Sequence, residues 1–214
     1  MHGLMALEIM EESTEKIVAK CFLNIEDISI NNIMRKVDTI IKSMFADYIA
    51  QVRDPSKHGE VDISSSITER DRDVNRLVTL VFRTIKHYLE NPRAKQRIDD
   101  TSMLLAQWDT ARILEKIGDE LKRSSRLTKD LNPQQARELI AIVEIIDEYY
   151  RNVISSLFKR DTEALYRLDL KKRYHITLLE EHRERFETSV TVSRAIQKVI
   201  SLYHRVHELI QVLG

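Results

Sequence analysis

The chain has 214 residues, with 34 Lys plus Arg against 34 Asp plus Glu, so no overall field draws it toward nucleic acid or an anionic membrane. Only 4 Gly and 3 Pro accompany 32% charged and 43% apolar residues, a balance that excludes disorder and favours long helices with solvated faces over sheets and tight turns. Cys21 is the single cysteine, so no intrachain disulfide can form and a reduced, cytoplasmic setting is expected.

Residues 4–22 alternate weakly around Ser13-Thr14, with Leu7 and Ile9 before and Ile17 and Val18 after, which predicts a short hairpin. Glu8, Glu11, Glu12, Glu15 and Lys16 interrupt that stretch, and no run reaches the roughly 18 apolar residues of a membrane span, so neither anchor nor signal peptide is expected. From Ile30 the period changes. Ile33, Met34, Val37, Ile40, Ile41, Met44, Phe45, Tyr48, Ile49 and Val52 follow one helical face, with Ser29 as N-cap and Asp54-Pro55 as the stop.

Beyond a loop carrying His58-Gly59, a second helix is marked by Ile67, Val74, Leu77, Val78, Val81, Ile85, Tyr88 and Leu89, ending before Asn91-Pro92. The third stripe runs through Leu104, Trp108, Ala111, Leu114, Gly118 and Leu121 and ends near Lys129–Pro133. The pattern then recurs. Leu139, Ile140, Val143, Ile146, Tyr150, Val153, Ile154, Leu157 and Phe158 mark a fourth helix; Leu165, Leu168, Leu178, Leu179, Phe186 and Val190 a fifth; Val192, Ile196, Val199, Ile200, Tyr203, Val206, Ile210 and Leu213 a sixth. The expected fold is all-α: a lead-in over 1–28, then two repeated antiparallel three-helix bundles over 29–131 and 132–214.

Periodicity specifies a scaffold and no chemistry. The sharpest local feature is Leu114-Glu115-Lys116-Ile117-Gly118-Asp119-Glu120. Glu115 and Asp119 lie one turn apart at the edge of the apolar stripe, where two carboxylates can chelate a hard cation. A glycine inside a helix costs about 1 kcal/mol relative to alanine, so Gly118 points to the close approach of a backbone or ligand. The plainer alternative is a pair of solvated helix charges neutralised by Lys116 and Lys122.

His204 and His207, three residues apart, with His175 or His182 on the preceding helix, form a competing transition-metal set; hydrogen-bonded core or edge histidines are the commoner outcome. Cys21 has no histidine nearby in sequence, and neither a Gly-rich phosphate loop nor a GxSxG elbow occurs, so a nucleophilic enzyme is not expected. The basic clusters Lys122-Arg123 and Lys171-Lys172-Arg173 are flanked by acids such as Glu120 and Asp169, as solvated helix faces usually are.

Leu114–Glu120 resembles the leucine-acidic-basic-isoleucine-glycine-aspartate signature on the last helix of a PhoU repeat. Glu69-Arg70-Asp71-Arg72-Asp73-Val74-Asn75-Arg76-Leu77 resembles the acidic stretch opening that family's middle helix, in the family's order and approximate spacing. The opening residues from Gly3, followed by Asn24–Ile30, look like the lead-in of archaeal PhoU-like regulators. In those relatives an AbrB-type DNA-binding domain often comes first; the lead-in here is too short to hold one.

The resemblance implies a divalent or iron-type metal held by Asp71 with Asn75 and by Glu115 with Asp119. Asn75 stands where the family usually has a carboxylate, weakening the implied site. The corresponding positions of the second repeat, Asp169 with Arg173 and Ser201 with Arg205, imply no metal and an internal salt bridge such as Asp169 with Arg205. The implied function is non-enzymatic restraint of phosphate uptake through contacts with a phosphate ABC transporter ATPase or a phosphate-responsive regulator. Tyr149, Tyr150 or Phe158, if partly exposed, would favour a homodimer. A metal-dependent phosphohydrolase and a transcriptional regulator are the alternatives, though the neutral charge argues against nucleic acid.

Overall fold

The structure is a computed structural model, described here for residues 7–12, 17–21, 28–53, 63–91, 101–128, 131–185 and 190–212. Two strands, β1 (Leu7–Glu12) and β2 (Ile17–Cys21), pair antiparallel from Leu7↔Cys21 to Glu12↔Ile17, with a register shift between Ile9 and Glu11. The rest is helical: α1 (Ile30–Arg53), α2 (Ile63–Glu90), α3 (Thr101–Leu127), α4 (Pro133–Lys159), α5 (Thr162–Leu170), α6 (Lys172–Arg185) and α7 (Val190–Glu208), with a 3-10 turn over Leu209–Val212. Asp54-Pro55, His58-Gly59, Lys129-Asp130 and Phe186 lie outside the described residues. Among the described residues, no helix is long and apolar enough to cross a membrane.

Local chemistry sets the helix ends. Ser29 Oγ accepts from Asn32 N at 3.3 Å, opening α1 as an N-cap does. At α4, Asn132 Oδ1 accepts from Gln134 N and Gln135 N, each at 3.0 Å, while Gln135 Oε1 accepts from Asn132 N at 3.0 Å. With Pro133 at the first helical position, this capping box is worth about 1 kcal/mol. The other end of α4 turns on Arg160, whose left-handed φ of 56° is uncommon for a residue with a Cβ. Asp161 N then donates to Ser156 O at 2.9 Å, and Asp161 Oδ1 caps α5 by accepting from Ala164 N at 2.9 Å.

Helices α1, α2 and α3 pack on one another, while α4 and α7 close over α1 and α3. A single apolar core runs through both halves; Phe45, Tyr48, Ile67, Leu114, Ile117, Leu139, Tyr150 and Tyr203 are fully buried in it. Each such side chain contributes about 1.5–3 kcal/mol by leaving water. At the far end, Gln51 Nε2 donates to Ser125 O at 2.8 Å and Ser125 Oγ donates to Gln51 Oε1 at 2.9 Å, so the polar ends of α1 and α3 satisfy each other within the core.

Several expectations are corrected. The continuous fifth helix is two, α5 and α6, divided at Lys171, where Lys171 N turns back to Leu168 O at 3.2 Å. Among the described residues of that region only Leu165 and Leu179 are buried, so little packing holds one straight axis there. Leu89 and Trp108, both placed on core stripes, are 43% and 38% exposed; Trp108 lies at the rim, stacked on Phe82 with ring centroids 4.2 Å apart. Tyr149 and Tyr150 are buried within the chain, and Phe158 is half-buried beneath the Arg35 guanidinium, 4.9 Å from its ring. Tyr149 and Tyr150 are thus used internally, while Phe158 stays partly exposed.

Candidate functional site

Asp71 follows Ile67 by four residues and precedes Val74 by three, so helical geometry carries its carboxylate onto the buried face of α2. Directly across lies Gly118 of α3: a Cβ there would sit 3.6 Å from Asp71 Oδ1, 3.7 Å from Val74 Cγ1 and 3.9 Å from Met44 Cε. The neighbours are therefore side chains at ordinary contact distance, which corrects the expectation of a backbone or ligand pressed against this glycine. Gly118→Ala is expected to stabilise the protein by about 0.5–1 kcal/mol through helix propensity, read as a higher denaturant midpoint with an unchanged slope. A lower midpoint would mean that the Asp71 carboxylate needs the space.

Of the implied ligand residues, Asp71 and Asp119 meet at this α2–α3 seam, around the Lys122 ammonium. Lys122 Nζ lies 2.6 Å from Asp71 Oδ2 and 2.7 Å from Asp119 Oδ1. Arg123 pairs with the other oxygen of Asp119. Burial, reinforced by the charges of Asp71 and Asp119, raises the Glu115 pKa above the usual carboxylate value. Burial alone would lower the Lys122 pKa, but hydrogen bonds to Asp119 and Asp71, together with their charges, outweigh it and leave the pKa raised. Asp71 Oδ1 and Asn75 Oδ1 are buried without a hydrogen-bond partner.

This donor set does not fit a divalent metal. Among the described residues no three His, Cys, Asp or Glu side chains are placed to hold one, and the ammonium already bridges two of the three carboxylates.

The sequence reading also missed Glu120. Buried at 6% exposure, it accepts from Ser201 Oγ of α7 at 3.2 Å and has Lys198 Nζ 3.4 Å from its other oxygen. The glycine-containing signature of the first half is thus tied to the position in the second half that was matched to a lost ligand.

In the second half the expected Asp169–Arg205 bridge is replaced. Arg205 pairs with Glu208 one turn ahead, and Asp169 Oδ1 lies 3.1 Å from His207 Nε2, a close approach without the alignment of a hydrogen bond. His207 Nδ1 is 2.8 Å from Tyr149 Oη. With the proton assigned to Nε2 beside Asp169, the phenol donates to Nδ1.

Tyr149 stacks on Tyr203 at 5.2 Å, and His175 meets both rings edge-on, at 4.9 Å and 5.6 Å. Burial is the main cause that lowers the pKa of both His207 and His175, helped by Lys172 and Lys171 respectively. His204 is exposed, while His182 Nδ1 lies 2.8 Å from Leu178 O of its own helix, so the four histidines do not meet as a set. An open groove of about 470 Å³ borders this cluster, lined by Asp169, Lys172, Arg173, Ile176, Thr177 and Glu180.

No protein-family model matches the chain, and no curated protein or solved structure matches it either.

Proposed function

We propose that the chain is a PhoU-like regulator of phosphate uptake that acts by protein contacts on a phosphate transporter ATPase or a phosphate-responsive signalling partner. The observation that carries the proposal is the meeting of the two motif segments. Residues 69–77 on α2 and 114–120 on α3, remote in sequence, face each other, with Asp71 opposite Gly118 and bridged through Lys122 to Asp119. In this reading α1–α3 form one repeat and α4–α7 the second, whose middle helix is divided into α5 and α6.

The partner meets the outer side of that divided helix. Tyr166 and Leu170 of α5, one turn apart, and Tyr174 of α6 are 63%, 63% and 67% exposed, large apolar side chains of the kind that mark protein contacts. Lys171, Lys172 and Arg173 lie beside them. Tagged protein used as bait in native extract, from phosphate-replete and phosphate-starved cells, is expected to recover the phosphate-transport ATPase or a phosphate-responsive regulator. The Tyr166→Ser/Tyr174→Ser double variant should fold normally and lose the capture. Recovery of neither partner, from an extract that contains both, would overturn the regulatory assignment.

A further inference from the structure

Among the described residues of α5 and α6 only Leu165 and Leu179 are buried, so polar groups decide how this element sits on α4 and α7. His207 of α7, 3% exposed, has Nδ1 2.8 Å from Tyr149 Oη of α4 and Nε2 3.1 Å from Asp169 Oδ1 of α5. Tyr149 Oη also lies 3.4 Å from Leu168 O, the carbonyl that accepts from Lys171 N at the bend between α5 and α6. His175, in the first turn of α6, meets the Tyr149 and Tyr203 rings edge-on. Its Nδ1 is buried without a hydrogen-bond partner.

This arrangement suits neutral imidazoles. His207 Nδ1 takes the phenol proton while Nε2–H faces Asp169. A second proton, on Nδ1, turns that nitrogen into a donor, so the Tyr149 hydroxyl must swing its own proton to Leu168 O, beside the bend. On His175 a second proton places a charge at a buried nitrogen with no acceptor. The charges facing His207 are Lys172 of α6, Asp169 of α5 and, when protonated, His204 of its own helix and His175; those facing His175 are Lys171 at the bend and Glu148 of α4. On the α3 side Lys116 and Arg205 already share Glu208, and the 3-10 turn carries no ionisable side chain. Two new charges would therefore join Lys171 and Lys172 against Asp169 and Glu148.

We infer that His207 and His175 form an acid-sensitive latch: neutral, they hold α5–α6 against α4 and α7; protonated, they release it while α1–α3 stay folded. Burial is the main cause that keeps both pKa values below their ordinary 6.5. The released element thus binds protons first, and the latch is complete above pH 6.5 and is lost as pH falls through the folded values. The inference concerns this element alone and does not depend on which partner the protein meets.

The test is amide hydrogen exchange of the full chain, read by mass spectrometry at about pH 7.5 and about pH 5.5, each rate divided into that of an unstructured peptide at the same pH. Protection over residues 162–185 is expected to fall at the lower pH, by up to about tenfold for each histidine, because a free imidazole is then about ten-to-one protonated. Protection of α1–α3 should not change. His207→Gln/His175→Phe keeps an acceptor for the Tyr149 phenol and a ring against both tyrosines but titrates at neither position; its α5–α6 protection should be the same at both values. If the double variant does not fold, each single variant should lose part of the acid response. Unchanged α5–α6 protection in the wild type at the lower pH would overturn the inference. So would a fall shared by every helix, or an undiminished acid response in the variants. These readouts need no partner, so failure here is distinct from failure to capture one.

Discussion

Tyr150→Ala is expected to destabilise the protein by about 3–5 kcal/mol, the range for deleting a large aromatic from a packed core. Tyr150 is fully buried and belongs to α4, yet its ring stacks on Phe45 of α1 with centroids 5.3 Å apart. Its hydroxyl donates to Asp38 Oδ1 at 3.0 Å, while Lys42 Nζ holds the other carboxylate oxygen at 2.7 Å. One residue therefore fixes α4 against α1 by packing and also satisfies a buried acid. Tyr150→Phe keeps the ring and removes only the donor, so it should cost about 1–2 kcal/mol from the carboxylate oxygen left unsatisfied. Guanidinium denaturation followed by far-ultraviolet dichroism measures both. A loss below about 1 kcal/mol for the alanine variant would mean that α4 does not seat on α1 as described.

The helices were legible because their apolar residues recur at three and four, and Ser29 announces the start of α1 by a side chain that accepts a backbone N–H. The division at Lys171 was not, since no glycine or proline marks it and the exposed, weakly packed α5–α6 region gives periodicity little to report. Stripe membership also misled at Leu89 and Trp108, near helix ends, where one face of a helix extends past its neighbours.

At the site, spacing correctly placed Glu115 and Asp119 on one side of α3, but pairwise spacing within a helix says nothing about what crosses from its neighbour. Lys122 was legible as a neutralising charge beside Asp119, and its reach to Asp71 could have been found too. It follows Asp119 by three residues and Gly118 by four, which puts its ammonium within reach of whatever stands opposite the glycine. The Asp169–His207–Tyr149 arrangement joins three helices, and no single-helix pattern encodes it.

Raising the pH above 10 is expected to unfold the protein steeply, because four phenols are held neutral by the fold. Burial is the largest cause in each case: Tyr48, Tyr149 and Tyr150 are pushed well above their ordinary value of 10.0, and Tyr203 up to about 12. A folded-state pKa raised above that of the unfolded chain means that the unfolded chain loses its proton first. The associated stability is therefore fully present below pH 10 and is lost as pH rises toward the folded values.

Tyr48 and Tyr150, both fully buried, each contribute a slope of about 1.4 kcal/mol per pH unit, together about 3 kcal/mol per unit. Tyr149 and Tyr203 act in the same direction, as does Lys122, whose pKa is raised from 10.5. Against a total stability of about 5–15 kcal/mol, a slope of about 3 kcal/mol per unit alone brings the transition within roughly two to five pH units, and the further groups shorten that span. An alkaline titration that follows phenolate absorbance and helical dichroism together checks this. The buried phenols should ionise only together with loss of that signal. Ionisation of the buried phenols in a still-helical protein would show that Tyr48 and Tyr150 are open to water, and would undo the packing of α1 against α3 and α4 from which their pKa shifts arise.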